Sequence, residues 1–127
     1  PRLVERPPAP VRKSLRLDAS LRLAQLTVGG SLTRSIVARA VERAVPDFRD
    51  CYRTIARRLG RDVEGSLRVT LAIGEAGYAE RVEVSGDFLP GIGACVRREA
   101  MKVRTVTPPD VGGASARFEL HYLPKED

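Results

Sequence analysis

A chain of 127 residues with 5% aromatic content and no Trp suits one domain, whose core must rest on Val, Leu, Ile and Ala. Two cysteines and a single histidine nearly exclude a metal centre or a Cys/His nucleophile, and no run of 18 apolar residues reads as a membrane-spanning helix. The net charge of +6 is unevenly spread: residues 1–30 hold six basic groups against two acids, and residues 31–127 hold sixteen against fourteen. A phosphate-binding face needs clustered, unopposed Lys and Arg, so this distribution argues against a nucleic-acid partner.

The chain opens on Pro1 rather than Met and reads as a fragment of a longer protein, whose export signal or membrane anchor would lie upstream. Residues 1–14 carry Pro1, Pro7, Pro8 and Pro10 among charges, which is the composition of an extended, semi-rigid basic linker. Residues 15–127 make the domain. Its first apolar pairs are Leu15/Leu17, Leu21/Leu23 and Leu26/Val28, ending at Gly29-Gly30; they suggest an added edge strand or an apolar strip lying along the domain.

Thr33 is a suitable N-cap for a helix whose apolar residues keep a 3.6-residue beat from Ile36/Val37 through Ala40/Val41, Ala44/Val45, Phe48, Cys51/Tyr52 and Ile55 to Leu59. Pro46 predicts two helical pieces or a sharp kink, and Gly60 a C-terminal cap. A strand follows with Leu67, Val69, Leu71 and Ile73 on one face, then a turn over residues 74–77. The returning strand, 78–85, has Ala79 out of phase with Val82 and Val84, which predicts a bulge. Pro90 opens a second helix to about Val103, and a Pro/Gly loop leads to a last strand with Ala116, Phe118, Leu120 and Tyr122 inward and Arg117, Glu119 and His121 outward.

This order predicts an α+β domain with both helices on one face of a three-stranded antiparallel sheet, strand order second–first–third, and the Leu21–Val28 segment as an optional extra edge. Cys51 and Cys95 fall at matched places in the two helices. A disulfide between them is expected, and with it an oxidising compartment; two free buried thiols are the alternative. No cofactor and no catalysis are expected. His121 lacks a nucleophile and an orienting group, Glu80 and Glu83 point to opposite faces, and Gly91 and Gly93 complete no phosphate-binding pattern. Tyr52 reads as a core or rim residue whose hydroxyl reaches backbone or water.

Local motifs extend the reading. Ser31-Leu32-Thr33 leads into Ile36-Val37, and Val45-Pro46-Asp47-Phe48-Arg49-Asp50-Cys51-Tyr52 follows. Gly65 to Gly74 with Gly77, and Gly93-Ala94-Cys95-Val96-Arg97-Arg98 before the Pro and Gly-Gly loop, complete the set. Over 30–122 these resemble the C-terminal domain of the AgmX/PglI group of gliding-motility and cell-envelope proteins, which is similar to the C-terminal domain of TonB. Where that group usually has a large aromatic followed by Phe-Pro, this chain has residues 101–106, Met-Lys-Val-Arg-Thr-Val.

The resemblance implies a non-enzymatic periplasmic interaction module, tethered to a membrane upstream, at the end of an envelope protein in gliding motility or trans-envelope force transmission. It also implies that a sheet edge accepts an extended segment of an envelope partner, such as an outer-membrane protein. On that reading the last strand, Ala116, Arg117, Phe118, Glu119, Leu120, His121 and Tyr122, is the expected docking edge. A self-associating homodimer is the rival reading, and a basic nucleic-acid-binding domain a further one.

Overall fold

The computed structural model describes residues 16–108 and 112–126, so the linker expected over residues 1–14 lies outside the described residues. Six elements follow in order: β1 (Asp18–Gly30), α1 (Arg34–Leu59), β2 (Gly65–Ile73), β3 (Ala79–Ser85), α2 (Ile92–Ala100) and β4 (Ala114–Lys125). The fold is α+β, with four antiparallel strands in the order β1-β4-β2-β3. The expected three-stranded sheet thus carries a fourth member, since the apolar pairs before Gly29 form a 13-residue strand along β4.

Side-chain alternation explains the layers. Leu67, Val69, Leu71 and Ile73 on β2, and Ala116, Phe118, Leu120 and Tyr122 on β4, are buried on the face that meets the helices. α1 packs against β1 and against α2, and α2 packs against β3. The opposite sheet face carries the intervening polar residues and stays wet, as an antiparallel sheet allows.

α1 is one helix of 26 residues that continues past Pro46, correcting the expectation of two separate pieces. Pro46 is exposed, and Phe48, Cys51, Tyr52 and Ile55 after it continue the buried stripe of Val37, Val41 and Ala44 before it. One continuous apolar face against the sheet outweighs the lost hydrogen bond and ring clash, a cost of roughly 3 kcal/mol. Gly60 closes the helix as expected, at φ 63°.

α2 is shorter than the predicted 90–103. Asp87, unremarked in the sequence, accepts the Gly93 N–H at 2.7 Å and the Gly91 N–H at 3.4 Å and so fixes the start of the helix. At the other end Val103 leaves the helix, and its carbonyl accepts the Ala79 N–H at 3.0 Å. The irregularity foreseen in β3 is present: Ala72 pairs with Arg81 and Ile73 with Ala79, so Glu80 is the extra residue. The bulge returns Ala79 to the buried face beside Val82.

Five of the six Phe and Tyr residues pack in two ring groups, the Phe48–Phe118 pair and the Tyr52–Phe88–Tyr122 trio. Phe48 meets Phe118 at 6.3 Å, and Tyr122 lies 5.6 Å from both Tyr52 and Phe88. The Tyr52 hydroxyl donates to the Val63 carbonyl at 3.3 Å and accepts the Val63 N–H at 3.0 Å, clamping the loop between α1 and β2. Burial pushes the Tyr52 and Tyr122 phenols above their ordinary range.

Candidate partner-binding surface

Cys51 in α1 and Cys95 in the first turn of α2 are joined in a disulfide, with Cα atoms 5.7 Å apart and a sequence separation of 44. Cys51 is buried and Cys95 half-buried, with the Arg98 guanidinium 3.5 Å from the Cys95 sulfur. The bond unites the two helices into one layer over the sheet. Among the described residues no group of three or more His, Cys, Asp or Glu could hold a metal ion.

The expected docking strand requires correction. Residues Ala116, Arg117, Phe118, Glu119, Leu120, His121 and Tyr122 lie in β4, which pairs with β1 on one side and β2 on the other. Its backbone groups are consumed by two ladders, so β4 cannot accept a further strand. The reason is the N-terminal segment, whose pairing runs from Asp18↔Lys125 to Gly30↔Ala114. Of the candidate side chains, Ala116, Phe118, Leu120 and Tyr122 face the core, while Arg117, Glu119 and His121 stand on the wet face. His121 Nε2 lies 3.5 Å from Glu119 Oε1. Ser66 is opposite His121 in the β2–β4 register, and no hydrogen bond joins them among the described residues.

The two true edges differ in how they are treated. At β3 the outer edge is partly occupied: Val103 takes the Ala79 N–H and Arg97 Nε donates to the Val82 carbonyl at 3.3 Å, while in the turn just before the strand the Thr105 N–H donates to the Gly77 carbonyl at 2.8 Å. Exposed Glu80, Arg81 and Glu83 add charge along it. These are the devices by which natural edges are protected from pairing.

β1 has little such protection. A register shift between Ala24 and Thr27, with Gln25 at φ 54°, leaves a regular run from Asp18 to Ala24 and a shorter one to Gly30. Leu21, Leu23, Leu26 and Val28 are only half-buried, packed against the core from its margin. Among the described residues no backbone hydrogen bond is made to the outer edge of β1 by another segment.

The start of β1 is held firmly. Asp18, 5% exposed, receives Arg49 Nη2 at 3.2 Å and the Ala19 N–H at 2.8 Å, and Arg53 Nε stands 3.5 Å from its other oxygen. Just outside, Arg16 pairs with Asp62 at 3.2 Å. Burial alone would raise the Asp18 pKa, but the hydrogen bonds from Arg49 and Ala19 and the nearby guanidiniums outweigh it and hold the carboxyl below its ordinary range.

A folded-state pKa below the unfolded one gives stability that is present above the unfolded value, near 4, and lost as pH falls through the folded value. Urea midpoints measured between pH 5 and pH 2 should therefore decline for the wild type. Asp18→Asn should be less stable at pH 5 and should flatten that decline. Asp18 is the only acid between Glu5 and Glu42, a signal that an acid heading an apolar strand had a specific partner.

These features define a one-sided α+β sheet domain with a disulfide-joined helical layer and, among the described residues, an edge strand, β1, whose outer side no other segment pairs with. Comparison with family models, with curated proteins and with solved structures finds no match.

Proposed function

We propose that this chain is a non-enzymatic protein–protein interaction module of the TonB C-terminal type, working in the periplasm as the terminal part of a larger envelope protein. The partner contributes an extended segment that pairs with the outer edge of β1, where main-chain hydrogen bonds give affinity and alternate side chains give selectivity. The observation that carries the reading is the contrast between edges: β3 is partly occupied, by Val103 at Ala79 and by Arg97 at Val82, whereas among the described residues no segment bonds to the outer edge of the Asp18–Ala24 run of β1. The oxidising compartment is supported by the Cys51–Cys95 bond, and the envelope context by the motif resemblance over 30–122. A role in gliding motility or force transmission would follow from a partner on the far side of the envelope.

A photocrosslinking residue at exposed Ser20, within the Asp18–Ala24 run, is the direct test, with one at Arg39 on the exposed side of α1 as control. Envelope extract should yield adducts from position 20 only, and the captured partner should slow hydrogen exchange at the outward amides of β1. Unchanged exchange there would refute edge pairing. The same edge could take a second copy of the chain, because Arg22 is the one charge β1 exposes after Asp18. Light scattering separates the two: a monomer at micromolar concentration leaves the heterologous partner.

A further inference from the structure

The wet face of the sheet holds a regular pattern of arginines. Registers across the three ladders define four successive rows: Arg22–His121–Ser66, then Ala24–Glu119–Arg68–Ser85, then Thr27–Arg117–Thr70–Glu83, then Gly29–Ser115–Ala72–Arg81. Each row contributes one arginine, and all four are exposed. None of the four guanidiniums has a hydrogen bond or ion pair among the described residues, although Arg68 stands directly opposite Glu119 and Arg81 lies two residues from Glu83. Arg68 and Arg117, in the two central strands, share a shallow cleft with Gln25, Thr27 and Glu119.

We infer that this face binds an extended acidic polypeptide with carboxylates on alternate residues. Rows two residues apart along a strand are about 6.8 Å apart, and so are alternate side chains of an extended peptide. Because the four arginines stand on four different strands, an extended peptide that crosses the sheet obliquely from Arg22 on β1 to Arg81 on β3 passes all four, with Arg117 and Arg68 in the middle. Guanidinium forks suit discrete carboxylates.

The same rows disfavour other polyanions. They carry no Phe, Tyr or Trp on which bases could stack, and Glu119 and Glu83 interrupt the positive field that a uniform phosphate backbone requires. This surface uses outward side chains, Arg22 of β1 among them, whereas edge pairing uses the main-chain groups of β1, so neither depends on the other.

The test is fluorescence anisotropy at low salt, using a labelled synthetic peptide of alternating Glu and Thr and the whole chain. Arg68→Ala with Arg117→Ala should weaken binding about tenfold, as expected for losing two exposed charge contacts. Exchange at the outward β1 amides should be unaffected by the peptide. The matched Gln-Thr peptide should not bind, and a peptide with its Glu residues contiguous should bind more weakly. Equal binding by the Gln-Thr peptide, or no effect of the double substitution, would overturn the proposal. So would equal binding of the contiguous peptide, or arginine-dependent binding to phosphatidylglycerol vesicles without peptide binding. If the double variant lost its thermal transition, Arg22→Ala and Arg81→Ala in the outer rows would carry the test, each expected to weaken binding about threefold.

Discussion

Replacing both cysteines, Cys51→Ser with Cys95→Ser, is expected to remove about 4 kcal/mol of unfolding free energy. The figure comes from the chain entropy released when a 44-residue loop is no longer closed in the unfolded state. Calorimetry should show it as a fall in Tm of roughly 15 °C for a domain of this size. That is a large share of a typical domain stability of about 5–15 kcal/mol. The effect should be visible equally in wild type treated with a strong thiol reductant under mildly denaturing conditions, where Cys51 becomes reachable. A double variant within about 1 kcal/mol of wild type would mean that helix packing alone holds α1 against α2.

Tyr122 should have the largest effect among core side chains. It is 1% exposed, stacks on Tyr52, and its hydroxyl donates to the Phe48 carbonyl at 2.9 Å. Tyr122→Ala leaves a ring-sized cavity between β4 and α1 and is expected to cost about 4 kcal/mol. Tyr122→Phe keeps the packing and removes only the hydroxyl, at about 1 kcal/mol. Denaturant titration of the pair separates the ring from its polar tip. Equal losses in the two variants would show that the hydrogen bond, not the packing, fixes α1 on the sheet.

Much of the fold is legible where the signal is local. The alternation of Leu67 to Ile73 and of Ala116 to Tyr122 yields β2 and β4, and the helical beat from Val37 to Ile55 yields α1 with its Gly60 cap. The phase slip at Ala79 points to the bulge at Glu80. Cys51 and Cys95 meet because each sits on the apolar stripe of its own helix.

What is illegible is non-local. Nothing in Leu21-Arg22-Leu23 states which strand it will pair with, and that single fact moves β4 from the margin of the sheet to its interior. Pro46 misleads because its cost is local while the compensating burial of Phe48 and Tyr52 is tertiary. The arginine rows were hidden for the same reason: Arg22, Arg68, Arg81 and Arg117 are far apart in sequence and align only through three ladders.

The position of β4 also governs when this domain can come into being. Two of the three ladders need it, and the rung joining Asp18 to Lys125 ties the first described strand to the last. During synthesis the β2–β3 hairpin and α1 can form early, but the four-stranded sheet waits for Ala114–Lys125 to emerge. Such long-range closure is slow. A domain of this topology stays loose until β4 is available, because β1 and the β2–β3 hairpin meet only through it. Truncation before Ala114 would leave β1 and the hairpin with no strand to join them.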